Sequence, residues 1–227
     1  MALPLEKPTP ALGGFLFEGQ TAMLAGRFAV GKTLLATQMA VHLAAGEEFL
    51  GRAVDHPYRV AFIDCENGPS EIQGRWQQQI RAANLTPEEL TRLQRNCYYA
   101  NARDVGASLY GLQLEKGGTG TLEEFLNDCA SEIVILDNLG RVLHGDLEKT
   151  EDVTEFFRVT HGVRERCPSV KVILFLHHIK KPSDHGEKLT LFHAPYEYLS
   201  QMRGSGRLLD FSESRFALAA RGASLDS

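Results

Sequence analysis

The sequence predicts an α/β fold, a mostly parallel sheet with helices on both faces. Three observations carry this. Apolar strand-length runs alternate with amphipathic helical segments along most of the chain. The best strands, Ile133 to Leu136 and Val172 to Leu176, are continuous apolar runs rather than alternating ones. A strand buried on both faces reads that way, and helices on both faces are what bury it. The chain is also long enough. Its 227 residues, with 43% hydrophobic and 23% charged residues, suit one sizeable domain that needs neither disulfide nor metal to hold together.

The elements follow in order. Residues 1–13 hold three prolines and a glycine and read as an N-terminal arm, leaving residues 14–227 as a single domain. Phe15 to Phe17 is a short strand, and Thr21 to Ala25 a better one that stops at Gly26. A helix is expected from about Lys32 to Ala45. Leu35, Met39 and Leu43 form one face, and Ala36, Ala40 and Ala44 line another, so it should be buried. Gly46 is a fitting stop. Arg59 to Asp64 is a strand. A helix runs from Pro69 to about Ala83, and Thr86-Pro-Glu-Glu89 opens the next with a cap, a proline and two dipole-favoured acids. Thr121 to Cys129 and Asp152 to Arg166 are helical. Glu132 to Leu136, Val170 to Leu176 and Arg215 to Ala219 are strands. Two long polar stretches, Leu139 to Thr150 and Lys180 to Gly206, read as loops with a task, because loops of that length in a compact domain usually have one.

Charge and cysteines narrow the function classes. The net charge is −5, unlike a small basic DNA-coating protein, so any nucleic-acid contact must use a local patch. No apolar run is long enough to cross a bilayer. Cys65, Cys97, Cys129 and Cys167 lie more than thirty residues apart and form no CxxC pair. They read as reduced thiols of a cytoplasmic protein.

Gly26-Arg27-Phe28-Ala29-Val30-Gly31-Lys32-Thr33 fits G-x-x-x-x-G-K-[ST], with a strand before it and a helix, from Leu34 on, after it. The chance of such a match in a chain this long is on the order of one in a hundred. Each part has a physical task. The glycines let backbone amides curl around phosphate oxygens. The helix N-terminus adds partial positive charge. Lys32 reaches the β- and γ-phosphates of ATP, and the Thr33 hydroxyl ligates Mg²⁺.

Three strand tips carry polar groups. Val134 to Asp137 ends in a carboxylate that would lie near the Mg²⁺ shell; a loop-capping aspartate is the plainer alternative. Phe62-Ile-Asp64-Cys-Glu66-Asn67 offers two acids. Glu66, just past the strand edge, is the better candidate for polarising the attacking water, although the helix dipole alone would favour an acid there. Asp64 sits in the strand body, where structural hydrogen bonds suffice. Ile173 to His177-His178 ends in imidazoles, and one of them could sense the γ-phosphate. A core role is the alternative. The adjacent pair points to opposite faces and cannot easily share a metal.

The order of phosphate loop, strand-Glu, strand-Asp and strand-His-His resembles a RecA-type P-loop ATPase core, and in its details the RepA-like replicative hexameric helicases of plasmids and phages. The matching pieces are residues 25–33, Asp64-Cys-Glu66-Asn67, Leu136 to Arg141, His177-His178-Ile-Lys180 and Arg203-Gly204-Ser205-Gly206, spread over residues 14–220. The resemblance implies a homo-hexameric ring that hydrolyses ATP at subunit interfaces and holds single-stranded DNA on channel loops. It implies Glu66 as catalytic base, Asp137 as the Mg²⁺-side acid and His178 as sensor. Lys180, Lys181 and Arg203 become the DNA-binding charges, with Lys188 beside them and Phe192, Tyr196 and Tyr198 available for base stacking. The acids Asp146, Glu148 and Glu151 weigh against the 139–150 loop as a phosphate contact. Asn138 stands where many relatives carry a hydroxyl. In a head-to-tail ring an arginine finger arrives from the neighbouring subunit, with Arg207 the first candidate and Arg215 the second. A RecA-like ATPase acting as a non-motor switch on a protein partner shares every nucleotide-site residue with this reading.

Overall fold

A computed structural model describes residues 7–67, 69–101, 120–143, 145–180, 191, 193–202, 204 and 206–219. Six strands form one sheet: β3 (Thr21–Gly26), β4 (Val60–Asp64), β5 (Cys97–Asn101), β6 (Ile133–Asp137), β7 (Val172–His178) and β8 (Ser214–Leu218), in the spatial order β5-β4-β6-β7-β3-β8. Every pairing is parallel.

The strands alternate inward and outward with period two, and each face feeds its own core. On one face Met23, Ala61, Val134 and Phe175 meet α4 (Gly120–Asp128), α5 (Leu139–Val142), α6 (Thr150–Arg166), α7 (Pro195–Ser200) and α8 (Arg207–Asp210). On the other, Leu24, Phe62, Ile135 and Leu174 meet α1 (Lys32–Ala45) and α3 (Pro87–Asn96), with α2 (Pro69–Ala82) packed beside them. The continuous apolar strands are thus buried on both sides, as their composition requires. Phe157 of α6 is fully buried and stacks on Phe211 with ring centroids 4.7 Å apart.

The local signals act as expected at several ends. Thr86 and Glu89 close a capping box on α3, with Glu89 Oε2 accepting from the Thr86 amide at 2.7 Å. Gly46 ends α1 in the left-handed region at φ 76°.

Several elements differ from the sequence reading. Pro10–Leu12 is a strand, β1, paired with β2 (Leu16–Phe17), and Ala11 and Leu12 are fully buried. The end of the expected arm therefore packs on the domain. β5 was not expected. It follows Asn96 of α3 directly, with no glycine or proline between, and most of it is only half-buried, so neither punctuation nor a long apolar run marks it. The loop expected over 139–150 begins as α5, with Leu139 and Val142 buried, and ends where α6 starts at Thr150. The loop expected over 180–206 contains α7. Within it Tyr198 is only 2% exposed, and its hydroxyl donates to the Leu218 carbonyl at 3.4 Å. Tyr198 is a core residue and offers no face to a base. No helix among the described residues is long and apolar enough to cross a membrane.

Candidate nucleotide site

The parallel register brings the polar strand tips into one line. Gly26 of β3 lies beside His178 of β7, and Asp64 of β4 beside Asp137 of β6. β7 separates the phosphate-loop strand from the Asp137 strand, so His178 emerges between them. Ligands of open α/β sheets bind at this carboxyl edge.

The phosphate loop turns from β3 into α1. Gly31 caps the helix in the left-handed region at φ 99°, which a side chain would resist. Gly26 is needed for a different reason. A Cβ there would lie 2.8 Å from the Leu218 carbonyl oxygen and 2.9 Å from Val30 Cγ1.

Lys32 is 5% exposed. Its ammonium donates to the carbonyls of Gly26 (3.0 Å) and Arg27 (2.9 Å) and contacts His178 Nδ1 at 3.2 Å. An ammonium has three donors, so all three go to protein acceptors. Burial pulls its pKa below the ordinary lysine value, while Asp137 and Glu66 pull it back up.

Thr33 Oγ1 donates to Asp137 Oδ2 at 2.5 Å. Asp137 is 1% exposed, and its pKa is pushed up to about 6. Burial is the main cause. Asp64 and Glu66 add to it, and the Thr33 hydroxyl and Lys32 oppose it. A hydroxyl beside a buried carboxylate is an oxygen-only donor set. Hard Mg²⁺ takes one or two such protein ligands and fills the rest of its shell with water and phosphate oxygens. Thr33 and Asp137 therefore fit Mg²⁺. Among the described residues no three His, Cys, Asp or Glu side chains gather as a metal-binding group.

Asp64 is fully buried and behaves as a fastener. Its Oδ1 accepts from the Glu66 and Asn67 amides, both at 2.9 Å, and Asn67 Nδ2 lies 3.1 Å from Oδ2. This ties down the turn after β4 and leaves the neighbouring Glu66 side chain facing the site. Between the two acids, burial holds the Cys65 thiol protonated, with its pKa pushed up to about 12.

Asn138 is the residue that the sequence reading undervalued. It is 4% exposed, and its Nδ2 donates to Glu66 Oε2 at 2.7 Å and lies 3.2 Å from His178 Nε2. A continuous chain of polar contacts therefore runs Lys32–His178–Asn138–Glu66. A neutral imidazole accepts at one nitrogen only. With Nδ1 accepting from the Lys32 ammonium, Nε2 carries the proton, so its 3.2 Å approach to Asn138 Nδ2 is a contact between two donors, and Glu66 Oε2 lies 3.8 Å away, beyond hydrogen-bond reach. An amide following Asp137 on a strand tip was the available signal, visible only once Glu66 and His178 were placed beside it.

Two cavities flank this chain. One, about 500 Å³, is bordered by Ala29, Gly31, Lys32, Thr33, Leu34 and Asp137 on one side and by α2 on the other. The second, about 710 Å³, is bordered by Arg27, Gly140, Arg141, Leu147 and His177. Both reach Phe28, Glu66 and His178. Phe28 is 74% exposed, with its ring 6.1 Å from that of His178. Gly26 and Val30 shape the loop without bordering the first cavity, and Arg27 turns to the second.

The remaining expected residues stand apart from this cluster. Arg207 is not on a loop. It opens α8 and is exposed there. Arg215 lies on β8 and donates to the Ser212 carbonyl at 2.9 Å. Lys180 pairs with Glu148 at 3.3 Å. Lys181, Lys188, Phe192 and Arg203 lie outside the described residues. Tyr196 is exposed.

The sheet order and the loop–lysine–threonine cradle define a P-loop ATPase of the RecA-like class. A family model described as an AAA domain matches residues 1–184, and the chain belongs to that family. A comparison with curated proteins finds no match.

Proposed function

We propose that this ATPase is a motor on single-stranded DNA, a helicase or translocase of the RepA-like replicative group, acting as a homo-hexameric ring with one ATP site per interface. The observation that carries the reading is the Lys32–His178–Asn138–Glu66 chain, which joins the phosphate loop to the roots of the segments after β6 and β7. A motor needs such a link, because nucleotide state must reach the surface that grips the track.

In this reading Lys32 exchanges a protein acceptor for phosphate oxygen, and His178 Nδ1, its longest contact, is the one released. Glu66 orients the attacking water and takes its proton. Thr33 and Asp137 would hold Mg²⁺, which would supply neutralising charge to the phosphates. Arg207 of one subunit completes the site of the next. Lys180, Lys181 and Arg203 hold the DNA backbone. Arg141 and Arg27, at the second cavity, add positive charge on the same side of the sheet.

Turnover measured with and without a single-stranded oligonucleotide tests the proposal, together with the native mass in a nonhydrolysable ATP analogue. Stimulation by DNA and a six-subunit mass are expected. The net charge of −5 and the pairing of Lys180 with Glu148 favour the second reading, a non-motor switch on a protein partner. ATP turnover indifferent to DNA, with no DNA binding at low salt, would select it.

A further inference from the structure

The nucleotide cavity has a second cation that the phosphate-loop motif does not contain. α2 buries Ile72, 2% exposed, and packs on the sheet through Trp76, whose ring meets Phe62 edge-on at 5.5 Å. Glu71, Arg75 and Gln78 lie at i, i+4 and i+7, on one face of the helix, and all three border the cavity opposite Lys32. The cavity wall thus carries three carboxylates, Glu66, Glu71 and Asp137, against two cations, Lys32 and Arg75.

Arg75 has a partner it can leave easily. Its guanidinium bonds Glu71 at 2.5 Å in an i, i+4 pair, but the two side chains are 36% and 59% exposed. Such a pair contributes little in water. Its other nitrogen lies 3.4 Å from Asn67 Oδ1. Asn67 is fastened to Asp64, and Asp64 also holds the Glu66 amide. Arg75 therefore stands on the Glu66 side of the cavity, where the terminal phosphate must lie if Glu66 is to reach the attacking water.

We infer that Arg75 binds the γ-phosphate of ATP, exchanging Glu71 for it, and that its contact with Asn67 sets the turn that carries Glu66. The inference rests on the reading of this cavity as the ATP site. A planar guanidinium suits two phosphate oxygens at once, an interaction stronger than the exposed pair it replaces. The exchange gives the site a means of telling ATP from ADP within one subunit, separate from any arginine supplied by a neighbour.

The test is a pair of titrations on the full chain with Mg²⁺, one with a nonhydrolysable ATP analogue and one with ADP. Arg75→Ala is expected to weaken the analogue by about 10- to 100-fold, the worth of one hydrogen bond to a charged group, and to leave ADP within about twofold. Arg75→Lys should recover part of the loss. Glu71→Gln should tighten the analogue, because Arg75 is no longer held back. An Arg75→Ala protein that weakens both nucleotides equally, or neither, overturns the inference and leaves Arg75 a structural residue. Wild-type protein that binds neither nucleotide overturns the ATP-site reading itself, and this inference with it.

Discussion

Asn138 Nδ2 donates to Glu66 Oε2 at 2.7 Å, so the residue after the β6 acid holds the acid after β4. The amide occupies a lone pair on the carboxylate that would accept the proton from water, and it fixes the direction of the other oxygen. Asn138→Asp replaces that donor with a second carboxylate. Turnover is expected to fall by about 10- to 100-fold, with ATP affinity nearly unchanged. Asn138→Ser keeps a donor and should retain most activity. Normal turnover by Asn138→Asp would show that Glu66 does not depend on this contact.

The two acids after β4 separate cleanly. Glu66→Gln should still bind ATP and lose about 10²–10⁴-fold in turnover. Asp64→Asn should keep turnover within about tenfold, since its amide oxygen can still accept from the Glu66 and Asn67 backbone. Steady-state ATPase rates of the two variants decide. The opposite ranking would make Asp64 the base.

Burial of Asp137 makes a stability prediction with a definite sign. Its pKa rises from 3.8 to about 6 in the folded protein, so the folded state holds its proton more tightly than the unfolded state. Without Mg²⁺, stability should then fall as pH rises from about 4 to about 6 and stay lowered above that. Asp137→Asn removes the charge and should stabilise the Mg²⁺-free protein at about pH 7 by roughly 1–3 kcal/mol, with the difference vanishing below about pH 4. Thermal melts across that range in chelator check it. A gap between variant and wild type that is flat with pH would assign the cost to something other than this charge.

A head-to-tail ring predicts complementation. Arg207→Ala and Glu66→Gln should each be inactive alone, and mixed rings should recover activity. About a quarter of interfaces in an equal random mixture carry both intact groups. Recovery near that fraction means independent sites, and less means sequential firing. Normal activity of Arg207→Ala by itself would eliminate Arg207 and move the experiment to Arg215.

The sheet and the phosphate loop were legible because their signals are local. Four buried strands are apolar runs, and the loop is a contiguous motif whose glycines answer a left-handed cap at Gly31 and a close approach at Gly26. Lys32, Thr33, Glu66, Asp137 and His178 come together because parallel register carries the ends of β3, β4, β6 and β7 to the same edge. What sequence missed depends on partners distant in the chain. Asn138 matters through Glu66 and His178, 72 and 40 residues away. Tyr198 looked like a stacking surface until Leu218 was found over its hydroxyl. Arg75 carries no motif signal in the sequence, and only the position of α2 brings it to the cavity that Lys32 borders.

The alternation of each strand between two cores has one more consequence. In β6, Val134 and Leu136 belong to one face and Ile133 and Ile135 to the other. A slip of a single residue would turn every one of these side chains to the wrong face and pull Asp137 out of line with Asp64. The spacing of the hydrolytic groups is therefore indexed by hydrophobic packing several ångströms below them, with Asn138, just past β6, adding the one contact that aims Glu66. The exposed parts of the segments that follow β6 and β7 can be rewritten, lengthened or exchanged while the site beneath keeps its gauge. A single frame of this kind can be fitted to many different surfaces.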